Sequence, residues 1–399
     1  MPCMLFPKKD LCSTALDDRL NLFMKDLLYP LSSLLISIVV GLIYIPKIVI
    51  ISKRKNLYDE SGGRKPHKGN IPRIAGMAFF PAFIVAFFVP FAAATIFSSD
   101  YHILLHSEYI LQIGMLMTGL SLLYMMGFVD DLISVSWRRK FLIQFFAALM
   151  PVLAGMGIDT MDGLFLLDGV GPWAGAAITV FVVMLLINAY NLIDGIDGLC
   201  SSLSIFATAV LGAWFLTHGY LVYGLVSTSI AGITAVYFYY NTTHGQFRTF
   251  MGDTGSTNLG YIIAFLSLAF YNAVTDSEAS TVYGTGISHP LSILLGIVAL
   301  PLFDTARVFA VRISKGLSPF HPDKRHLHHK LLDLGLTHLQ CTLICFALQG
   351  CYFGLNYVMR NVDVNIVLLA DLGFMVAYVG VIDLLVSHYT KERARYDSK

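Results

Sequence analysis

The residues with the clearest potential for chemistry in this sequence are aspartates at the edges of long apolar runs. Asp130 and Asp131 are adjacent at the end of one run, and Asp253 stands among glycines just before another. Clustered carboxylates repel one another unless a cation lies between them, and ligand sets made only of oxygen favour magnesium or manganese over zinc. Together with two further aspartates, Asp194 and Asp197, these three predict at least one bound divalent cation, with a solvated helix end and a plain N-cap as the structural alternatives.

A second polar group recurs at three-residue intervals. Asn191, Asp194 and Asp197 follow one another at this spacing, which places them on one face of a helical turn. Gly195 and Gly198 lie beside the two aspartates and allow another chain segment to approach the backbone closely. Because the segment contains no Lys or Arg, its acids also favour a bound cation.

Histidines and cations are concentrated in one later segment. His326, His328 and His329 directly follow Lys324 and Arg325, all within six residues. Three histidines also suggest zinc, but no cysteine accompanies them, and the neighbouring cations favour anionic phosphates. A metal held by acids opposite a basic segment is the arrangement expected where the phosphoanhydride bond of a nucleotide diphosphate is broken.

The composition requires that these residues be positioned by a membrane protein. Of 399 residues, 56% are hydrophobic and 13% are charged, and the mean hydropathy is +0.67. A soluble domain has roughly 25% charged residues, so an ordinary soluble enzyme is excluded. The net charge of +1 provides no basic excess for a polyanion, and we expect no nucleic acid among the partners.

Apolar runs of about 20 residues, the length that crosses a bilayer, recur along the chain. Eleven are present, at residues 30–51, 74–98, 109–129, 141–157, 172–190, 200–217, 220–240, 256–272, 290–312, 341–359 and 365–387. The sequence therefore predicts an all-α polytopic integral membrane protein with about eleven transmembrane helices. Residues 1–28 are predicted to form a tail or an interfacial helix, residues 29–390 the transmembrane domain with its active-site loops, and residues 391–399 a cytoplasmic tail.

Lys and Arg are concentrated in alternate loops, which predicts the orientation in the membrane. The loop after the first run contains seven of them, whereas the next loop, residues 98–108, contains none, and the alternation continues along the chain. Because cytoplasmic loops carry the excess of positive charge, the N-terminus is expected outside and the C-terminus in the cytoplasm. All the polar segments described above then fall on the cytoplasmic side, which indicates one site.

Taken in order, these motifs resemble those of the polyprenyl-phosphate N-acetylhexosamine-1-phosphate transferases, membrane enzymes that use a UDP-sugar and a lipid phosphate. The motifs that carry the resemblance are residues 64–73, Asp130-Asp131, residues 188–199, residues 250–256 and residues 326–329. The His-x-His-His form of the last motif resembles the bacterial undecaprenyl-phosphate N-acetylglucosamine-1-phosphate transferases. The muramoyl-pentapeptide branch instead has three consecutive histidines. Asp304 and Arg307 also resemble the N-acetylglucosamine branch, although an i,i+3 pair near a helix end explains them equally well.

The resemblance implies a role for each candidate residue. Asp253 is implied as a principal magnesium ligand, with Asn191 and Asp131 as further ligands. The implied catalytic residues are Asp130, Asp131, Asp194, Asp197, His326, His328 and His329. The implied substrate-binding residues are Lys68, Asn191, Asn241, Phe250 and Arg325. Phe250 resembles the residue that stacks on uracil. In one departure, the family usually has an Asn-x-x-Pro-Ala run seven residues before that Phe, whereas Asn241 stands nine residues before it.

The implied reaction is the transfer of N-acetylglucosamine-1-phosphate from a UDP-sugar to undecaprenyl phosphate, with release of UMP, at the inner face of a bacterial cytoplasmic membrane. The resemblance further implies Mg²⁺, with Mn²⁺ as a substitute, and a homodimer. Another UDP-N-acetylhexosamine donor and the muramoyl-pentapeptide reaction are the alternatives within the family. A transporter is the alternative from another class, although ionisable residues used in transport usually lie near the middle of the membrane.

Overall fold

The computed structural model describes residues 10–55, 57, 71–97, 107–167, 169–276, 286–318 and 326–397. These ranges are helical, without a strand, and two short 3₁₀ turns lie at Ala75–Ala78 and Leu164–Leu166. The α-helices are α1 (Asp10–Arg54), α2 (Phe79–Phe97), α3 (Ser107–Ile133), α4 (Trp137–Leu153), α5 (Pro172–Ile193), α6 (Leu199–Thr217), α7 (Leu221–Thr242), α8 (Gly252–Thr275), α9 (Pro290–Ser314), α10 (Leu327–Asp333), α11 (His338–Val358) and α12 (Val364–Asp397).

All eleven predicted runs coincide with helices, but ten of the described helices are long and apolar enough to span a membrane. The predicted all-helical class is confirmed, whereas the predicted count of eleven is not. The fourth run accounts for the difference, because α4 is 17 residues long and begins with three cations in its first turn. The division predicted between the sixth and seventh runs is confirmed, since α6 ends at Thr217 and α7 begins at Leu221.

Helix α4 runs between the same two ends of the structure as the central helix α8. Lys140, in the first turn of α4, lies 2.8 Å from Asp253 at the beginning of α8. Gly157, just after α4, accepts a 2.8 Å hydrogen bond from Asn272 near the end of α8. At 1.5 Å per residue α4 is about 26 Å long, close to the thickness of a bilayer's apolar core.

Helix α8 forms the core of the molecule and carries part of the site at its first turn. Nearly all of its residues are buried, and it packs against α3, α5, α6 and α9. Small residues allow this crowding: Gly260 lies so near the backbone of α5 that an added Cβ would be 2.8 Å from the Cα of Ile187. Close approach at small residues is how membrane helices gain packing energy, since lipid removes the hydrophobic drive between them.

The first helix extends beyond its predicted span. Sequence patterning predicts a tail or interfacial helix for residues 1–28, and α1 begins at Asp10 and continues without a break to Arg54. At the other end of the bundle, the segment between α4 and α5 is closed by one antiparallel bridge between Thr160 and Gly169. The hydroxyl of Tyr271 at the end of α8 contacts both backbone groups of Thr160 and fixes this loop.

Candidate active site

Two chain segments that are distant in sequence pair just before α8. The backbone N–H of Phe250 donates to the carbonyl of Pro72 at 2.8 Å, and Ala75 donates back to the carbonyl of Phe250 at 3.2 Å. Gly76 continues the pairing to Met251 at 2.9 Å. The stretch that enters α2 and the stretch that enters α8 are therefore one unit, which fixes the position of Phe250.

The predicted acidic residues meet at this point. Asp130 and Asp131 come from the end of α3 and Asp253 from the first turn of α8, and one carboxylate oxygen of each lies within 4.8 Å of the others. Acids at a helix C-terminus oppose the helix dipole, whereas an acid in the first turn of α8 is favoured by it. Three oxygen ligands at this spacing suit a hard divalent cation.

Asp131 also holds the beginning of α8 in place. Its two carboxylate oxygens accept hydrogen bonds from the backbone N–H of Asp253 at 2.8 Å, from the N–H of Thr254 at 3.1 Å and from the Thr254 hydroxyl at 2.6 Å. A carboxylate from α3 therefore caps α8 and satisfies N–H groups that have no partner within the helix. Gly252 has φ +75°, and a Cβ there would lie 2.5 Å from Asp131 Oδ2.

The charge of the acidic cluster is partly balanced by residues that sequence spacing missed. Lys140 Nζ lies 2.6 Å from Asp130 Oδ2 and 2.8 Å from Asp253 Oδ2. Arg73 Nη2 lies 3.5 Å from Asp253 Oδ1. The prediction of a divalent cation from the acids did not take these two cations into account. Lys140 stands nine residues after Asp131, and no local sequence pattern links it to the aspartates.

The residues Asn191, Asp194 and Asp197 occupy different environments, although their spacing predicts a common face. Asn191, near the end of α5, donates to the hydroxyl of Ser256 on α8 at 2.9 Å. Asp194 follows the last residue of α5 and lines a cleft. Asp197 is buried and forms an ion pair with Arg248. The cation for Asp197 therefore comes from a segment 51 residues further along the chain.

The cleft beside the acidic cluster is lined by Arg73, Asp194, Gly195, Ile196, Asp197, Asn241 and Phe250. It combines an aromatic ring, an arginine and two carboxylates. Asn241 is buried and uses its amide within the protein: Oδ1 accepts from Gly198 N–H at 2.6 Å and Nδ2 donates to the carbonyl of Thr249 at 3.0 Å. It therefore ties together the two segments that form the walls of the cleft.

The three predicted histidines stack on one another against the Asp194–Asp197 segment. The rings of His326 and His328 are nearly parallel with centroids 5.7 Å apart, and those of His328 and His329 are 4.4 Å apart. Gly195 permits this contact, since a Cβ there would lie 2.6 Å from Nε2 of His328. Burial, and after it the charge of His329, lowers the pKa of His328 to about 3, so this imidazole is neutral at physiological pH.

A buried carboxylate from α9 anchors the histidine segment. Asp304 Oδ2 lies 2.9 Å from His326 Nδ1, and Asp304 also accepts from the backbone N–H of Leu327 at 3.1 Å. Arg307, one turn later on α9, donates to Asp304 Oδ1 at 2.6 Å. Asp304, paired with Arg307, thus holds the beginning of α10 against α9.

Two predicted substrate-binding residues, Lys68 and Arg325, lie outside the described residues. The remaining predicted residues converge at one end of the bundle, where α3, α5, α7 and α9 end and α6 and α8 begin. The arrangement provides carboxylates for a divalent cation, a neighbouring cleft with an aromatic ring, and cations suited to phosphate.

Known proteins with related sequences have a common activity in their names. Residues 113–271 match the sequence profile of glycosyl transferase family 4. The chain is 29% identical over 329 residues to a probable undecaprenyl-phosphate N-acetylglucosaminyl 1-phosphate transferase of Bacillus subtilis (strain 168), covering 82% of this chain and 83% of that protein. It is 29% identical over 303 residues to the undecaprenyl-phosphate alpha-N-acetylglucosaminyl 1-phosphate transferase of Escherichia coli (strain K12), covering 74% of each. The chain is therefore similar to glycosyl transferase family 4 over residues 113–271 and to these transferases over most of its length.

The resemblance inferred from the motifs is therefore confirmed. The matched residues 113–271 include the acidic cluster, the Asn191–Asp197 segment and Phe250. The histidines lie beyond the matched range. A relative from Yersinia pestis with the same name as the E. coli protein is 27% identical over 299 residues, covering 72% of this chain and 73% of that protein.

Proposed function

We propose that this protein transfers N-acetylhexosamine-1-phosphate, with N-acetylglucosamine as the sugar, from a UDP-sugar to undecaprenyl phosphate. The products are undecaprenyl-diphospho-N-acetylhexosamine and UMP. The observation that carries the proposal is the convergence of the three clustered aspartates and the cleft around Phe250 at one end of a helical bundle. The names of the relatives supply the substrate classes.

The reaction is a displacement at phosphorus. An oxygen of the lipid phosphate forms a bond to the β-phosphorus of the UDP-sugar, the bond from that phosphorus to the bridging oxygen breaks, and UMP leaves with the electron pair. A phosphate monoester with a second pKa of about 6 is mostly dianionic at neutral pH, so the nucleophile needs orientation rather than deprotonation. We therefore favour direct attack over a covalent intermediate on Asp130.

The chain's own residues supply orientation and charge. Phe250 offers a ring face for the uracil base, and Arg73 beside it offers a cation for the diphosphate. Lys140 lies between two carboxylates, where it can pair with an incoming phosphate oxygen. Preorganised cations around a transferring phosphoryl group stabilise the charge that develops on it.

Asp130, Asp131 and Asp253 would hold a divalent cation, which we propose is Mg²⁺. The donor set fits this ion because every ligand atom is a carboxylate oxygen. When bound, such an ion neutralises diphosphate charge. Asn191 lies near the cluster through its bond to Ser256 and is the further ligand proposed from the sequence.

The membrane location follows from the lipid substrate. We propose that the protein lies in a bacterial cytoplasmic membrane with the site, and the C-terminus, on the cytoplasmic face, and that α4 is an eleventh crossing. A water-soluble nucleotide sugar and a membrane-bound lipid phosphate can meet only at an interface. Acids at the ends of helices, rather than in their middle, suit such a meeting place.

The test is UMP release by the purified protein in detergent with undecaprenyl phosphate and Mg²⁺. UDP-GlcNAc, UDP-GalNAc and UDP-MurNAc-pentapeptide are compared as donors. Asp253→Asn is expected to lower kcat at least 100-fold, because loss of one charged ligand or charge-assisted contact at a transferring phosphoryl group typically costs this much. Chelation of the metal is expected to do the same.

The matched control is Asp276→Asn, since Asp276 follows the last residue of the same helix at the opposite end of the bundle and is exposed. It is expected to retain wild-type activity. If no donor released UMP from folded protein, the proposed reaction would be wrong for these sugars. Release from a donor other than UDP-GlcNAc would instead change the proposed sugar.

A further inference from the structure

Asp304 and His326 form a buried acid and imidazole pair. Both side chains are about 4% exposed, and Asp304 Oδ2 lies 2.9 Å from His326 Nδ1. Asp304 also pairs with Arg307, so its carboxylate has a cation and a backbone N–H as further partners. A carboxylate accepts hydrogen bonds and donates none, which requires that His326 carry a proton on Nδ1.

The other nitrogen of the same ring is in a different state. His326 Nε2 is buried and has no hydrogen-bond partner among the described residues. A proton on Nε2 would leave a buried N–H donor without an acceptor, which costs more free energy than an unused lone pair. The neutral ring with its proton on Nδ1 therefore fits the contacts, and Nε2 presents a lone pair in a water-excluded position.

This lone pair belongs to the histidine stack that borders the cleft. The ring of His326 lies nearly parallel to that of His328, at an angle of 12°, and His328 in turn lies against Gly195 of the cleft wall. A buried polar atom with no partner in the protein is a place where a substrate group can supply the missing bond. The hydrogen-bond donors of a UDP-sugar are its hydroxyls and its amide N–H groups.

We infer that Asp304 is a positioning residue: it holds His326 as the Nδ1–H tautomer, so that Nε2 accepts a hydrogen bond from a hydroxyl or amide N–H of the sugar nucleotide. The second part of this inference rests on the proposed function, whereas the tautomer of the free protein does not. The logic is that of carboxylate and imidazole pairs in general, in which the acid fixes which ring nitrogen is free.

The direct test is ¹⁵N NMR of histidine-labelled protein in detergent, with the His326 signals assigned by their loss in His326→Gln. We expect a protonated Nδ1 and an unprotonated Nε2 in the wild type at pH 7.5. Addition of UDP-GlcNAc without undecaprenyl phosphate is expected to shift the Nε2 signal. A protonated Nε2 in the free wild-type protein would overturn the inference, and this readout does not depend on enzymatic activity.

The activity test is a double-mutant cycle. Asp304→Asn and His326→Gln are each expected to lower kcat/KM by about 10- to 100-fold, the usual cost of losing the partner that orients a functional histidine. The double variant is expected to be no slower than His326→Gln alone, because Asp304 acts through His326. Asp304→Glu, which keeps the carboxylate, is expected to recover part of the activity.

Effects that multiply in the double variant would show that Asp304 does not act through His326 and would overturn the inference. Asp371→Asn is the matched control, since Asp371 is a fully buried aspartate of α12 that is hydrogen-bonded to Asn356 and distant in sequence from the histidines. It should leave the His326 signals unchanged. If no donor released UMP or shifted Nε2, the proposed function would fail while the tautomer result stood by itself.

Discussion

Lys140 determines how much negative charge the acidic cluster presents to a metal. Its side chain is 27% exposed, and its ammonium group contacts two of the three carboxylates, at 2.6 and 2.8 Å. An ammonium group and a divalent cation compete for the same oxygens, because both lower the same electrostatic repulsion. We therefore expect the lysine to keep the two acids together in the free protein and to weaken their affinity for a metal ion.

Lys140→Met is accordingly expected to tighten binding of Mn²⁺ to the substrate-free protein by about tenfold, which corresponds to about 1.4 kcal/mol. The same change is expected to lower kcat, because the proposed contact with a phosphate oxygen is lost. Electron paramagnetic resonance titration with Mn²⁺ measures the first effect and UMP release the second.

Arg139→Met is the matched control, since Arg139 is the preceding residue on the same helix and is exposed. It removes the same charge from α4 without touching the carboxylates, and we expect metal affinity to stay within twofold of wild type. Unchanged or weaker Mn²⁺ binding in Lys140→Met would show that the lysine does not compete with the metal.

Local sequence patterns identified the acids but not the cations that balance them. Lys140 is one of three consecutive cations in a loop that the charge pattern predicts to be cytoplasmic. Arg248 lies in another loop with the same predicted location. In the structure, each of the two residues pairs with an aspartate from a separate segment. Spacing along the chain reports neighbours on one helix, whereas these pairs depend on which helix ends meet.

At the scale of the helices, the first turn of α8 has the strictest requirements. Gly252 stands at φ +75°, and an added Cβ would lie within 2.5 Å of both Asp131 Oδ2 and the carbonyl oxygen of Arg73. The left-handed conformation costs a non-glycine residue about 1–3 kcal/mol when the surroundings enforce it. The contact with Asp131 adds to this cost, because that carboxylate caps the helix.

Gly252→Ala is therefore expected to destabilise the protein by about 1–3 kcal/mol and to lower the thermal unfolding midpoint in detergent. Activity at a temperature where the variant is folded is also expected to fall, because Asp253 is the next residue. A fluorescence-monitored unfolding scan together with UMP release measures both effects.

Gly245→Ala is the control for this prediction. Gly245 lies in the preceding turn, where an added Cβ would meet nothing within 4 Å. It is expected to change the unfolding midpoint little. Equal midpoints for Gly252→Ala and wild type would mean that the backbone relaxes at this turn and that the cap by Asp131 is not strictly positioned.

Most of the helical architecture could be predicted because the bilayer leaves few alternatives. Backbone groups in lipid must be satisfied within the segment, so an apolar run of sufficient length becomes a helix. The predicted runs at 200–217 and 220–240 became α6 and α7 for this reason. The count of eleven is not confirmed because of α4, whose cationic first turn and 17-residue length place it at the limit of that rule.

At the scale of the whole molecule, the site is assembled from segments that are far apart along the chain. Pro72 pairs with Phe250 across 178 positions, and Asp304 bonds to His326 across 22. Successive membrane-spanning helices run in opposite directions, so alternate loops lie on the same face of the membrane. The direction in which each helix crosses therefore determines which segments can meet. Assembly of the site therefore depends on the orientation of the helices in the membrane.

Helix α9 offers a direct test of that orientation. Ser288 precedes it and Lys315 follows it, and both are exposed. In a background with the six native cysteines replaced, Ser288→Cys is expected to react with a membrane-impermeant maleimide in intact cells. Lys315→Cys is expected to react only after the membrane is permeabilised. The physical reason is that cations such as Lys315 are retained on the cytoplasmic side.

The reverse labelling pattern would place the acidic cluster on the outer face, away from nucleotide sugars, and would contradict the proposed location. Because Lys315 lies at the end of α9 that leads to His326, and Asp304 binds that histidine from the same helix, labelling at these two positions reports on the site itself. Equal labelling of both positions in intact cells would instead indicate that α9 does not cross the membrane. The eleven proposed crossings would then be too many, and the alternation that brings the helix ends together would need another explanation.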